Sequence, residues 1–392
     1  MVADYEFLAP QRIVFGWGRS AEIGTLACTL GRRAFVVIGS RTLHGNGTWK
    51  ALQTRLREAG VEPVVCRIGM PQEPAIGDVD ALTANLRMHG AGNGDLLLAI
   101  GGGSAIDLAK AASAIVTNPQ GNGVRDFLEG VGAGLQVTQP PLPLLAMPTT
   151  GGTGTEATKN AVISVSDPPV KKSIRSPLMV PRIVLIDPEL AMSVPADTTA
   201  WTGMDAITQL IESYISKNAK PIPQALALHG LKLALPMVRE AVYDGRSRPA
   251  REAMAHAALL SGMALANSGL GFAHGVAAAL GVYANVPHGL ACAMMLPVAL
   301  RVNREVAEKS LAELARAALP IGAISDAAAA DRLLDEIEKL CVELRVPAKL
   351  TQVGVQASQL DDLVRGSRGN SMNGNPRTLD DAELRAILEE RL

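Results

Sequence analysis

A glycine-rich segment in the first half of the chain has the residue types that bind an anion through the main chain. Gly101, Gly102 and Gly103 directly follow an apolar run, and Ser104 begins a stretch with helical spacing that includes Asp107. Glycine allows a ligand to approach the backbone closely, and the free N–H groups of a first helical turn attract negative charge. The segment predicts a pyrophosphate site, although a plain strand-to-helix turn capped by Ser104 would look the same. Its spacing is not the GxGxxG fingerprint of Rossmann proteins.

A second polar glycine segment, Pro148–Glu156, follows the next apolar run and contains Thr149, Thr150 and Thr153. Ligands of parallel sheets bind beyond the carboxyl ends of the strands, where such a turn would lie. Either segment alone could be a solvated loop. Two of them, at one edge of one sheet, predict a cofactor crevice.

The elements that must position these turns can be read from the hydrophobic pattern. Short β-branched runs alternate with helical stretches in the first half of the chain, which is typical of a parallel sheet covered by helices. The predicted strands are Arg12–Phe15, Ala34–Ile38, Glu62–Cys66, Leu96–Ile100, Leu142–Met147 and Arg182–Ile186. The predicted helices between them are Ser20–Leu30, Thr48–Ala59, Gly77–Met88 and Ser104–Val116.

From about Pro195 onward the strand signals stop, and Ala- and Leu-rich helical segments continue to the end of the chain. We therefore predict an α/β N-terminal dinucleotide-binding domain with a parallel sheet over residues 1–192. An all-α C-terminal domain is predicted over residues 193–392.

The end of the second predicted strand bears on the choice of cofactor. Dinucleotide folds that use NAD place an acidic residue there against the ribose 2′-hydroxyl, whereas this chain has Gly39, Ser40 and Arg41. No carboxylate would repel a 2′-phosphate, and Ser40 and Arg41 could bond to it. The sequence favours NADP over NAD, unless Arg41 simply points into solvent.

Composition excludes several classes of function. The chain has 392 residues, 48% of them hydrophobic, and a formal net charge of −1, so it can bury a large core but has no basic field for nucleic acid or a membrane surface. Its four cysteines form no CxxC pair, and no secretory signal is visible, so we expect a cytoplasmic protein. The apolar stretch Ala253–Val282 is interrupted by histidines and glycines, which favours buried helices over a membrane span.

The two glycine segments resemble the cofactor-loop motifs of iron-containing (group III) alcohol dehydrogenases, within the dehydroquinate synthase-like superfamily. The resemblance spans nearly the whole chain and continues through Ile186–Leu190, Pro195, Gly203–Ala206, Glu212, Asn285–Gly289 and Asn375–Arg377. It implies hydride transfer between a nicotinamide cofactor and a small alcohol or aldehyde. It also implies a cleft between the two domains that holds a divalent metal, and a homo-oligomer, commonly a dimer.

Cofactor contacts follow from the resemblance residue by residue. The resemblance implies that Gly102, Gly103 and Ser104 hold the pyrophosphate, and that Asp107 orders the glycine turn and contacts the nicotinamide side. Lys171 falls where the family keeps a lysine near the ribose and phosphates, with Lys172 as the alternative. The remaining groove residues are Thr149, Thr150, Thr153 and Leu190, next to Gly39 and Ser40.

The family's metal site takes an aspartate, a histidine four residues later, and two further histidines. Asp205, His274 and His288 match three of these positions and are the expected catalytic set, while Gln209 occupies the fourth. A neutral amide oxygen is a poorer ligand for iron or zinc than imidazole, so the affinity for metal should fall. Ala278 is a second departure, because many relatives carry a proton-relay histidine at that position.

Three alternatives remain open at this point. The weakened ligand set fits a metal-independent reductase that resembles maleylacetate reductase, in which the two histidines would be ordinary core residues. A lyase like dehydroquinate synthase shares the architecture and would release no net NAD(P)H. A non-catalytic nucleotide-binding protein would bind the cofactor and turn over neither alcohol nor aldehyde.

Overall fold

The computed structural model describes residues 4–70 and 73–392, which form two compact units. The α/β unit consists of Leu8–Thr150 with Gly154–Met192. The helical unit consists of Ser193–Leu392 together with Gly151–Thr153 and residues 4–7. A parallel sheet in the first unit and helices in the second confirm the predicted fold class.

The main sheet of the α/β unit is wholly parallel, in the spatial order β1-β8-β5-β4-β2-β3. The strands of the unit are β1 (Arg12–Phe15), β2 (Arg33–Ile38), β3 (Glu62–Ile68), β4 (Asp95–Gly101), β5 (Leu144–Pro148), β6 (Asn160–Ser166), β7 (Pro169–Arg175) and β8 (Ile183–Ile186). Every residue of β4 is buried, as expected for a central strand covered on both faces. All six predicted strands are present, with ends that differ by at most two residues.

Strands β6 and β7 form an antiparallel hairpin that the hydrophobic pattern did not predict. Ala161, Ile163 and Val165 point into the core beside the long helix that follows β4, while the residues between them are partly exposed or exposed. One face of this hairpin is therefore polar, and Lys171 and Lys172 on β7 weaken the strand signal further.

The helices of the α/β unit cover the sheet. They are α1 (Ile23–Ala27), α2 (Arg41–Gly45), α3 (Thr48–Glu58), α4 (Ile76–Met88) and α5 (Gly103–Thr117). The predicted helix Ser20–Leu30 is shorter than expected, because a 3-10 turn over Arg19–Glu22 precedes α1 and the chain turns from Cys28. Helix α5 is buried along most of its length, since its small side chains allow it to pack closely against β4 and β5.

The helical unit continues from Ser193. Its helices are α6 (Ala196–Ile215), α7 (Pro221–Tyr243), α8 (Arg248–Ser268), α9 (Phe272–Tyr283), α10 (His288–Asn303), α11 (Glu308–Ala318), α12 (Asp326–Glu343), α13 (Leu360–Gly366), α14 (Asn370–Asn373) and α15 (Asp381–Glu389). The apolar stretch noted in the sequence forms α8 and α9. Within residues 4–70 and 73–392, no single helix is long and apolar enough to cross a membrane, and α8 and α9 pass that test only as a pair bent by 100°.

Candidate active site

The first glycine segment forms the predicted strand-to-helix turn. Gly102 precedes the first residue of α5 in an extended conformation, and the helix begins at Gly103. The N–H groups of Gly103 and Ser104 belong to the first helical turn, which has no intrahelical carbonyl partners. Their position at the positive end of a 15-residue helix suits an anionic ligand.

The strand ends next to this turn approach each other unusually closely. A Cβ atom at Gly101 would lie 2.8 Å from the Cβ of Ala105 and 2.9 Å from the Cα of Gly39. Thr149 continues the edge on the other side, since its N–H donates to the carbonyl of Gly101 at 3.0 Å. The structure therefore brings Gly39, Gly102 and Thr149 together at the carboxyl edge of the sheet.

Thr150 and Ser40 lie at the same edge. The Thr150 side chain is 3.3 Å from the position of a Cβ on Gly102, so a larger residue there would press on it. Ser40 caps α2, its hydroxyl accepting a hydrogen bond from the Leu43 N–H at 3.5 Å. Arg41 is exposed at the first position of α2, and its side chain lies over Gly69.

Other predicted cofactor residues have structural partners. Asp107 Oδ2 accepts the Val162 N–H at 3.1 Å, which ties α5 to β6. Lys171 Nζ forms an ion pair with Glu73 Oε2 at 2.7 Å on a mostly buried lysine side chain. Leu190 packs into the apolar core beneath the sheet.

Thr153 belongs to the helical unit, where its carbonyl accepts a hydrogen bond from Gln209 Nε2 at 3.4 Å.

The helical unit brings the predicted acid and histidines together at the meeting point of three helices. Asp205 lies on α6, His274 near the start of α9, and His288 at the start of α10. His274 Nε2 is 3.1 Å and His288 Nε2 3.9 Å from Asp205 Oδ1. Asp205 and His274 are buried, whereas the His288 side chain is 34% exposed.

Glu212 orients His274 from behind. Glu212 lies two turns after Asp205 on α6, and its buried carboxylate accepts the His274 Nδ1–H at 2.7 Å. It also accepts the backbone N–H groups of Gly271 and Ala273, at 3.1 and 2.6 Å, so it holds the first turn of α9 as well. Because a carboxylate can only accept, the Nδ1 proton is fixed and Nε2 faces Asp205, the arrangement usual for a metal-binding histidine.

A cysteine completes the cluster. Cys292 lies one turn after His288 on α10, and its Sγ is 3.7 Å from His288 Nε2. Donor atoms from Asp205, His274, His288 and Cys292 all lie within 4.8 Å of one another. This spacing and donor chemistry fit a single divalent cation, whose tetrahedral ligands lie about 3.3–3.8 Å apart for bonds of about 2.0–2.3 Å.

The charges of the cluster act strongly on one another. The interaction with Cys292, and to a lesser extent that with Asp205, raises the pKa of His288 to about 9, whereas burial alone would lower this pKa. Burial also opposes the shift at His274, where interactions with Cys292, Asp205 and Glu212 raise the pKa well above its ordinary value. Despite its own burial, Asp205 has a lowered pKa because both histidines lie beside it.

The two departures from the family pattern are visible in the structure. Gln209 is buried, and its Oε1 accepts a hydrogen bond from Ser261 Oγ at 2.6 Å. Ala278 lies one turn after His274 on α9, so position 278 offers no imidazole to carry a proton.

No role for Glu212 or Cys292 was predicted from the sequence. The spacing of four between His288 and Cys292, on a helix, was the signal available for the cysteine. Asn375 was also noted only as part of a motif. Its side chain accepts the Phe272 N–H at 3.0 Å and pairs reciprocally with Asn303 at 2.9 Å, so it fixes the start of α9 together with Glu212.

Comparison with known proteins identifies the same family over both units of the chain. Residues 10–188 match the family model for iron-containing alcohol dehydrogenase, and residues 199–392 match that for the C-terminal part of the Fe-containing alcohol dehydrogenase family. The NAD-dependent methanol dehydrogenase of Bacillus methanolicus is 30% identical, over 98% of this chain and 99% of its own. The 1,3-propanediol dehydrogenase of Klebsiella pneumoniae is 31% identical, over 98% of both chains. The alcohol dehydrogenase of Oenococcus oeni superposes with a TM-score of 0.91 at 31% identity, over 99% of this chain and 100% of that one.

Proposed function

Since the chain belongs to the iron-containing alcohol dehydrogenase family, as its motifs predicted, we propose roles for the residues of the two sites within that activity. The enzyme transfers hydride between a nicotinamide cofactor and a small alcohol or aldehyde. We assign the dinucleotide to the glycine turns of the α/β unit. A divalent metal is assigned to Asp205, His274 and His288 of the helical unit.

The observation that carries the metal assignment is the orientation of His274. Its Nδ1–H is held by Glu212 while Nε2 is directed at Asp205 Oδ1, so the donor atoms of these two residues converge on one point. A divalent cation held there supplies Lewis-acid polarisation of a substrate oxygen. The hydride chemistry belongs to the cofactor, and the protein contributes position and charge. Glu212 keeps the His274 proton on Nδ1, and Asp205 holds negative charge in a buried position.

The glycine turns support the assignment of the cofactor. Gly102, Gly103 and Ser104 present first-turn N–H groups to a pyrophosphate, and Gly39, Thr149 and Thr150 border them at the same edge. Asp107 orders the turn through its bond to β6. Thr153, Lys171 and Leu190 are assigned to the groove on the family pattern alone.

We further assign NADP as the preferred cofactor, because no acidic residue follows β2 and exposed Arg41 can pair with a 2′-phosphate. The test is a titration of the purified enzyme with NADPH and, separately, with NADH, in which binding is measured by fluorescence. Arg41→Ala should weaken NADPH binding by at least about tenfold and leave NADH binding unchanged. Equal affinity for both nucleotides in the wild-type enzyme would reject the preference.

The metal assignment is tested by elemental analysis of the purified enzyme together with an aldehyde panel. His274→Ala should lose both the metal and the turnover. His229→Ala is the matched control, because His229 is an exposed histidine of the same unit. Full activity of the chelator-treated enzyme, or of His274→Ala, would remove the metal from the mechanism and favour the metal-independent reductase.

We also propose a cytoplasmic homodimer. All four cysteines are free thiols, which suits a reducing compartment. Sedimentation velocity at several concentrations tests the dimer, and cell fractionation tests the location. A concentration-independent monomer would contradict the first proposal, and recovery outside the cytoplasm the second.

A further inference from the structure

The strongest unassigned feature is the thiol of Cys292. The side chain is fully buried, and such a cysteine is often no more than a small apolar residue of the core. Here, however, the sulfur lies among ionisable groups, 3.7 Å from His288 Nε2 and within 4.8 Å of donor atoms on Asp205 and His274. The spacing of four along α10 places Cys292 and His288 on one face of the helix.

Gln209, at the position of the family's remaining histidine, has other partners. Its Oε1, the amide's donor atom for a cation, accepts a 2.6 Å hydrogen bond from Ser261 Oγ on α8. Its Nε2 donates to the Thr153 carbonyl at 3.4 Å, which fixes the orientation of the amide. To bind a metal, Gln209 would have to give up a short buried hydrogen bond in exchange for weak coordination by a neutral oxygen.

We propose that Cys292, and not Gln209, is the fourth protein ligand, so that Asp205, His274, His288 and Cys292 form a set that selects zinc over iron. The inference rests on the proposed function, because it takes a metal at this site as given. Thiolate with imidazole is a donor set that suits zinc. The thiolate also brings a negative charge, which a neutral imidazole at position 209 would not have supplied. On binding, the Sγ–H bond breaks, the proton passes to solvent and the sulfur lone pair binds the ion.

Cobalt(II) is the probe, because it takes the same ligands as zinc and gives an absorption band when bound to a thiolate. The full-length enzyme is stripped with a chelator and titrated with cobalt. We expect one equivalent to bind with a thiolate-to-cobalt charge-transfer band in the near ultraviolet. X-ray absorption of the zinc form should show one sulfur at about 2.3 Å.

Four variants assign the band. Cys292→Ser and Cys292→Ala should abolish it and weaken zinc binding by more than about 100-fold, since loss of a group that only orients a ligand already costs about 10–100-fold. Cys341→Ser is the matched control, because Cys341 is another buried thiol of the helical unit and donates a hydrogen bond to the Ala293 carbonyl. Gln209→Ala should keep the band. When protein is produced with both metals supplied, this variant should also keep the zinc-to-iron ratio of the wild type.

The outcomes separate this inference from the function on which it rests. Cobalt that binds in a His274-dependent manner without the charge-transfer band would overturn the cysteine ligand and leave the metal assignment standing. No His274-dependent binding of cobalt, zinc or iron would overturn both. A wild-type enzyme that accumulates iron in excess of zinc when both are supplied would overturn the proposed selectivity.

Discussion

Glu212→Gln is the sharpest test of how the histidine is held. The carboxylate accepts Ala273 N–H on Oε1, and on Oε2 it accepts Gly271 N–H, His274 Nδ1–H and, at 3.4 Å, the backbone N–H of His274. A glutamine keeps the size of the side chain but has only one acceptor oxygen, and its nitrogen is a donor. In either orientation of the amide, a donor would face a donor inside the protein.

The magnitude follows from counting these bonds. If the amide oxygen takes the place of Oε2, the Ala273 N–H is left facing an NH₂ group. The remaining hydrogen bonds are then accepted by a neutral oxygen and no longer by a charged carboxylate. Hydrogen bonds to charged groups contribute about 1.5–3 kcal/mol each, and an unsatisfied buried donor costs about 1–3 kcal/mol. We expect the helical unit to lose about 3–5 kcal/mol of stability, a fall in Tm of roughly 10 °C for a unit of this size.

The assay is calorimetry of the chelator-treated protein, so that lost metal affinity does not contribute to the change. Hydrogen exchange at Gly271 and Ala273 should rise together with the loss of stability. Glu313→Gln is the control, because exposed Glu313 accepts one bond from Tyr214 Oη and its replacement should cost under about 1 kcal/mol. A Glu212→Gln protein that melts within a degree of the wild type would refute the reasoning.

Three further outcomes are expected. Gly101→Ala should weaken NADH binding at least tenfold in a fluorescence titration, because the new Cβ would meet rigid backbone, whereas Gly77→Ala, with open space around it, should bind normally. Burial raises the pKa of Glu156 from 4.5 to about 7, so the folded state binds a proton more tightly than the unfolded chain. Between pH 4.5 and 7, stability to urea should therefore fall further in the wild type than in Glu156→Gln, by up to about 3 kcal/mol; an identical slope in both would exclude Glu156 as the cause. Asn375→Ala should cost about 2–4 kcal/mol in chemical denaturation, since it leaves buried donors on two elements unpaired, and exposed Asn373→Ala should be silent.

The parallel sheet could be predicted because its strands are buried on both faces and read as continuous apolar runs. Strand β4 is the clearest case, since glycine ends it at the point where the chain turns into α5. The hairpin β6–β7 was missed because only one face is covered, and its other face carries serine and lysine. A polar alternating run of this length does not differ from a loop in composition.

The acid–histidine cluster could not be predicted from local patterns, because Asp205, His274 and His288 come from three helices. Family resemblance selected these residues, and the structure brings them together; their role with metal remains a prediction. Resemblance carried no information about Cys292 or about the partner of Gln209, because neither Cys292 nor Ser261 belongs to the motifs on which the resemblance rests. These contacts depend on side-chain packing between helices, which spacing alone does not determine.

The bond from Asn375 to the first turn of α9 has a consequence for the order in which the site can assemble. The helix that carries His274 receives one of its main-chain acceptors from a residue 103 positions further along the chain. During translation that acceptor is made after α6 and α9, so the first turn of α9 can reach its full set of hydrogen bonds only once residue 375 has been synthesised.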